Sequence, residues 1–269
     1  MKKKTIVILT VVALLIAGIS AVVWWQFDNI KAVYLGLKYS SEDIESKLSR
    51  TDDDVKKFLE SNPQYSVRPI EPLEEELYKE GMITDKELTD IITGETTVAD
   101  VFGTQISLSE DKKLTITESG QLLNKETADR LKQETEASKE NDTSQKDKDQ
   151  DKNKVDNSAE ISKNVAQLYV LKSSFVSRLD GLYNQAVADY RALTPEQKKN
   201  DGKTTIANRY YSSAASMEAE CDAQVSAILT KIEKLLKEQG SDTALIDKIK
   251  ASYYQEKSLK KAYYINKLK

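Results

Sequence analysis

Hydrophobic positions along the chain follow three regimes. From Thr5 to Trp25 they run for 21 residues without a charge, long enough as a helix to cross the roughly 30 Å hydrocarbon core of a bilayer. From residue 26 to 123 short apolar clusters alternate with start and stop signals, which predicts several short helices. From residue 161 onward apolar residues recur at three- and four-residue steps over long stretches, which predicts long amphipathic helices.

In the middle regime, Ser40 with Asp43, Thr51 with Asp54, Thr84 with Glu87 and Thr97 with Asp100 have the spacing of capping boxes. Gly81, Gly94 and Gly103 stand where helix ends want a left-handed residue, and Pro63, Pro69 and Pro72 predict an extended connection over residues 62–72. The period changes to two at Ile106 and Leu108 and again at Leu114 and Ile116, which predicts one small β-hairpin.

The third regime predicts three helices. One carries Ile161, Val165, Leu168, Phe175, Leu179, Leu182 and Ala186, and a short turn follows at Thr194, Pro195 and Gln197. The second carries Ile206, Tyr210, Ala214, Met217, Cys221, Val225, Ile228, Ile232 and Leu235, ending at Gly240. The third starts near Asp242 and carries Leu245, Ile246, Ile249, Tyr253 and Leu259. Such stripes are expected to pack as an antiparallel, coiled-coil-like three-helix bundle. The same stripes also suit pairing between chains, so a homo-oligomer stays open.

The expected fold class is therefore mainly α. Residues 1–4 are a cytoplasmic N-terminus, 5–25 a transmembrane signal-anchor helix, 26–123 a membrane-proximal helical domain, 124–160 a disordered charged linker and 161–269 a C-terminal helical bundle. Lys2, Lys3 and Lys4 precede the apolar run while only Lys31 and Lys38 follow closely, which orients the N-terminus inside and the later domains outside the cell membrane. A cleaved signal peptide is the competing reading, with Ile19 and Ala21 before the cut. Continuation of the run to Trp24 and Trp25 favours the anchor.

Charge adds an asymmetry hidden by the overall value of −4. Residues 26–123 carry 11 basic and 21 acidic side chains, and residues 161–269 carry 18 and 12. An acidic proximal region and a basic distal region are expected. Within residues 124–160 the flexible part is placed nearer 137–158, because Lys139 to Asp156 holds one sizeable apolar residue, Val155, and residues 124–137 can continue as a solvated helix.

Histidine is absent, which removes Ser-His-Asp and Cys-His nucleophile systems and His-ligated zinc. One cysteine, Cys221, makes no intrachain disulfide and is expected as a buried thiol on an apolar stripe. Asp147, Asp149, Asp151 and Asn153 have the alternate spacing that opens a calcium loop, but Lys152 stands where the turn needs glycine and Ser158 where it needs glutamate. Ser258 and Lys261 match Ser-x-x-Lys without its companion motifs, and the acidic runs at residues 52–54 and 74–76 are ordinary first-turn charges. No catalytic residue, metal or cofactor is expected. Net acidity in the proximal region argues against a nucleic-acid partner.

Between Pro72 and Gly94, the residues Leu73, Leu77, Gly81, Ile83, Thr84, Glu87 and Leu88 resemble the short helical hairpin called SHOCT, with its Gly-x-Ile-Thr-x-x-Glu turn. The resemblance covers 23 residues and implies two helices capped at Gly81 and Thr84, with a role in self-association.

The last helix is the most suggestive surface. Residues 248–269 hold seven lysines against one glutamate, interleaved with Tyr253-Tyr254 and Tyr263-Tyr264. Tyr254, Lys257, Lys260, Lys261, Tyr264 and Lys267 form the expected surface for an anionic ligand, and simple solvation of the helix end is the plain alternative. A third reading folds this basic end back on the acidic region. The functional expectation is a membrane-anchored, non-catalytic envelope scaffold or adaptor that displays a helical bundle outside the membrane. Its alternative is a module binding anionic cell-wall polymer or lipid through this helix. The partners expected are the membrane and an envelope protein or anionic polymer.

Overall fold

A computed structural model describes residues 31–65, 67–139 and 156–267. The apolar segment 5–25, the calcium-loop-like spacing at 147–153 and most of the expected flexible linker lie outside the described residues. Among the described residues no helix is long and apolar enough to cross a membrane.

The protein is mainly helical with one small two-stranded sheet. Residues 31–38 are helical (α1), followed by α2 (Ser41–Leu48), α3 (Asp53–Glu60), α4 (Pro72–Lys79), α5 (Asp85–Ile92) and α6 (Val98–Phe102). Then come β1 (Ile106–Leu108), β2 (Leu114–Ile116), α7 (Lys125–Lys139), α8 (Ser158–Ala192), α9 (Pro195–Lys199), α10 (Gly202–Gln239) and α11 (Ala244–Lys267). Capping boxes form at Ser40/Asp43, Thr84/Glu87 and Thr97/Asp100, as their spacing predicts. Thr51 departs from the pattern: its hydroxyl donates to the carbonyl of Leu48 at 2.8 Å and so serves the end of α2. The hairpin has the predicted alternation, with Ile106 opposite Ile116 and Leu108 opposite Leu114 in antiparallel register.

The chain divides into two compact units. One combines residues 31–58 with 247–267; the other comprises the described residues between Leu59 and Ile246.

The larger unit is built on an apolar cluster in which Leu77, Leu88, Ile91, Ile92 and Phe102 are almost fully buried, joined by Ile106, Leu114 and Ile116 of the hairpin. Two parts of the expected organisation change here. Residues 125–139, placed in the charged linker, form α7, with Ala128 buried in the cluster and Leu131 against it. Lys132 on α7 pairs with Glu87 at 2.7 Å. Second, α8 does not begin a separate distal domain, because its Ala166 and Val170 are members of the same cluster and Tyr169 packs on it. An amphipathic stripe records that a face is apolar but not which partner covers it, and α8 has apolar residues on more than one side in its first half.

Along its length α8 runs with α10 as an antiparallel hairpin. Three polar contacts fix the register: Asn157 Nδ2 donates to the Leu235 carbonyl at 3.1 Å, Arg178 pairs with Glu220 at 2.9 Å, and Arg209 pairs with Asp189 at 2.9 Å. Burial is uneven along it. On α8 the buried residues end at Phe175, while α10 is buried at Val225, Leu229, Ile232 and Leu236 and again at Ile206 near the turn. At the turn Gly202 allows close approach, since a Cβ there would meet the Gln197 carbonyl oxygen at 2.7 Å.

The smaller unit packs α11 against the N-terminal helices. Ile44, Leu259 and Ala262 are buried together, with Leu35, Tyr39, Leu48 and Tyr263 around them. Ser252 donates to Asp52 Oδ1 at 2.9 Å, and Asn266 Nδ2 donates to the Tyr39 carbonyl at 2.7 Å. Gly36 brings α1 close to α11: a Cβ at this position would stand 3.1 Å from the Ala262 carbonyl oxygen. The last helix is thus not the third member of a distal bundle. From Asp247 it belongs with residues 31–58, and the basic end of the chain does fold back on the N-terminal region.

Candidate functional site

The regrouping of α11 changes the charge picture. Residues 31–58 carry six basic and six acidic side chains, whereas residues 247–269 carry seven lysines and two acidic groups, so this unit is net positive by five over those residues. Residues 59–246 carry 24 basic and 35 acidic side chains, net −11. The expected division into an acidic proximal and a basic distal half is replaced by a basic unit containing both ends of the described chain and an acidic unit between them.

At 100° per residue, Ser252, Ser258, Leu259 and Ala262 define the buried side of α11 from residue 252 onward, whereas Leu245, Ile246 and Ile249 are buried on other sides of its first turns. Tyr254, Lys257, Lys260, Lys261, Tyr264 and Lys267 fall on the remaining arc, so the six predicted residues share one side of the helix. Their surroundings differ. Tyr254 is exposed, and the other lysines and Tyr264 are half-buried apart from exposed Lys267. Lys257 Nζ lies 5.4 Å from the Tyr254 ring centroid and 5.7 Å from that of Tyr253; Lys260 and Lys267 stand at 5.9 and 4.4 Å from Tyr263. The adjacent tyrosines meet edge to face at 5.5 Å in both pairs. Ammonium groups over ring faces are drawn by the ring quadrupole while their stems cover apolar surface.

Facing arcs of α1 add residues that sequence reasoning did not single out. Ala32 and Gly36 are its buried side, yet Val33, Tyr34 and Leu37 on the other side are 47%, 57% and 71% exposed. Lys38 lies 5.4 Å from the Tyr34 ring and 5.2 Å from that of Tyr39, and these phenols hold its ammonium pKa above the ordinary value. The signal was available: residues 31–38 are apolar around the whole helix and bracketed by lysines, whereas a helix covered on one side by protein and on the other by water has a polar outer face.

The remaining candidates have structural explanations. Ser258 is fully buried and its hydroxyl donates to the Tyr254 carbonyl at 3.0 Å. Glu74 is buried, accepts from Arg68 Nη1 and from the Glu71 backbone N–H at 2.9 Å each, and ties the extended segment before α4 to that helix. Cys221 is half-buried on α10 rather than in a core. Within residues 72–94 lie α4 and α5, with Gly81 at positive φ after the first and Thr84 as N-cap of the second. Tyr78 on α4 donates to Asp85 at 2.8 Å, and burial together with that carboxylate pushes its phenol up to about 12. Among the described residues no group of three or more Cys, Asp or Glu side chains has metal-binding geometry.

No family model matches the chain, and no curated protein or solved structure matches it.

Proposed function

We propose that the protein is a single-pass, non-catalytic envelope scaffold or adaptor, anchored by residues 5–25 and carrying its helical units outside the membrane. The observation that carries this reading is the outer part of the α8–α10 hairpin. Past Phe175 and before Val225, Leu179, Leu182, Ala186, Tyr210, Ala214, Met217 and Cys221 stay half-buried along the seam of the two helices. Residues 176–192 alone extend this arm by about 25 Å at 1.5 Å per residue. Charged clasps between the helices hold its register, and Tyr211 is 65% exposed on it. A two-helix hairpin of this length presents much surface for its mass, which suits contact with another macromolecule rather than enclosure of a small substrate. The charge around the apolar segment sets the orientation, as argued from the sequence.

Topology tests this directly. A tag after Lys269 is expected to be removed by protease from intact spheroplasts, and the full-length mass is expected to include residues 1–25. Protection until lysis overturns the orientation, and a mass lacking the apolar run replaces the anchor by a cleaved signal.

A second reading is binding of an anionic polymer or lipid by α11, supported by the lysine and tyrosine arc of that helix. Retention on anionic polymer or lipid that weakens with salt and is lost in Lys257→Gln/Lys260→Gln/Lys261→Gln supports it; retention unchanged by these substitutions contradicts it.

A further inference from the structure

We propose that the unit formed by α1, α2 and α11 rests on an anionic phospholipid surface, with Val33, Tyr34 and Leu37 of α1 entering the headgroup layer and the lysines of α11 supplying the attraction. This rests on the second reading above and specifies both its ligand and a second set of residues.

Three observations converge. The first is the outer side of α1, where two aliphatic side chains and a tyrosine are exposed between Lys31 and Lys38. Aliphatic residues with an aromatic and flanking lysines are the composition of a helix lying in a membrane interface, where the tyrosine ring has an apolar body and a polar tip. The second is distance along the chain. Five residues separate Trp25, the end of the uncharged run, from Lys31, so Lys31 lies within about 20 Å of that run even across a fully extended connection. A bilayer that takes up residues 5–25 is therefore within reach of α1 whatever the path of the connection. The third is charge. The unit that carries α1 is the basic one, and its positive charge comes from a helix some 200 residues away in sequence that folds back beside α1. Residues 59–246, at −11, are repelled by the same surface. Charge therefore favours contact with an anionic surface by the unit that carries α1.

Water-facing packing alone does not account for this composition, since nothing in helix formation requires Val33 and Leu37 to be apolar once Ala32, Leu35 and Gly36 face the protein. A bilayer is also the one partner whose proximity follows from the sequence itself.

The experiment uses the full chain in a Cys221→Ser background, with a polarity-sensitive thiol probe at Leu37→Cys, reconstituted into vesicles of phosphatidylcholine alone or mixed with phosphatidylglycerol. Helical content by circular dichroism confirms folding; Leu37 is exposed, so the label meets no core. The expected result in phosphatidylglycerol vesicles is blue-shifted emission quenched by shallow spin-labelled lipid, with a probe at Tyr211→Cys on the arm remaining water-like. Lys257→Gln/Lys260→Gln/Lys261→Gln is expected to lower the membrane-contacting population at least about fivefold, the effect of one lysine near an anionic surface. Water-like emission from position 37 in phosphatidylglycerol vesicles overturns the proposal, as does quenching equal in the two vesicle types and unaffected by the lysine substitutions. Retention of the chain through an alkaline carbonate wash reports the anchor separately. Retention with an unquenched probe sinks the lipid-facing role of α1 alone, and loss at the wash sinks the anchor. Binding to purified wall polymer without any change at position 37 keeps a polymer-binding α11 and removes the lipid.

Discussion

The two ends of the α8–α10 hairpin are made of similar sequence and behave differently. At its base, Ile161, Val165, Val170, Ile232 and Leu236 are buried, and α4 and α5 cover a second side of α8 at Ala166 and Val170. In the arm, Leu179, Leu182, Ala186, Ala214 and Met217 occupy equivalent stripe positions and are only half-buried. Periodicity is the same in both, so what differs is the number of layers. Two helices bury one seam, and a third layer is needed to close a core around a long helix. Stability is therefore concentrated at the base, and the arm is held by its seam and its clasps.

Large-to-small substitutions give the sharpest contrast. Leu88→Ala, in the cluster under the base, is expected to destabilise the larger unit by about 3 kcal/mol. Leu182→Ala in the arm is expected to cost less, about 1 to 2 kcal/mol, because part of the side chain is already exposed and the site has fewer neighbours to leave a cavity among. Urea unfolding followed by circular dichroism measures both; equal losses would erase the distinction between base and arm.

Next in size is the charge buried beside the base. Arg68→Met leaves Glu74 buried without its guanidinium, and a loss of about 2 kcal/mol is expected in the same assay, with recovery when Glu74→Gln is added. Loss without recovery would mean that Arg68 acts through packing rather than charge.

A smaller effect depends on pH. Burial works against the charge on Glu87, but Lys132 and the Thr84 cap outweigh it and hold the carboxyl below its ordinary 4.5. A depressed carboxyl pKa contributes stability that is fully present above the unfolded value and disappears as pH falls through the folded one. Melting temperature is thus expected to fall on acidification below pH 4.5, and Glu87→Gln should flatten that part of the profile. Tyr78 acts at the other end: its phenol stays protonated in the folded chain between its ordinary 10 and about 12, so stability falls as pH rises through that window. Tyr78→Phe should lessen the alkaline loss.

The arm itself gives the smallest expected change. Glu220→Gln removes the clasp to Arg178, both half-exposed, and is expected to alter stability by less than about 1 kcal/mol, less still in high salt. A cost of several kcal/mol would show that the arm is a packed core after all.

Local features were legible in the sequence where a few neighbouring residues decide them. Ser40, Thr84 and Thr97 cap helices because the carboxylate three residues on completes the box, and Ile106, Leu108, Leu114 and Ile116 pair because turn chemistry and alternation agree. What was not legible is which stripe meets which. Leu259 and Tyr263 have the spacing of a bundle helix, and nothing local distinguishes packing on α10 from packing on α2, more than 200 residues away. The six residues singled out on α11 share one side because helical spacing alone fixes that. The neighbouring α1 surface is not legible in the same way, because Val33 and Leu37 have the composition of core residues and only the packing shows that Ala32 and Gly36 take that place.

The central claim is that the two ends of the described chain form one unit, which brings the basic helix to the N-terminal segment. Ser252 and Asp52 are joined by a 2.9 Å hydrogen bond, so cysteines at both positions in a Cys221→Ser chain are within reach of a short bifunctional thiol reagent. The account predicts a rapid cross-link within one chain, seen as a faster-migrating monomer on a denaturing gel, and absent when either cysteine is omitted. Absence of that species in the folded double variant, or cross-linking only between chains, would contradict it.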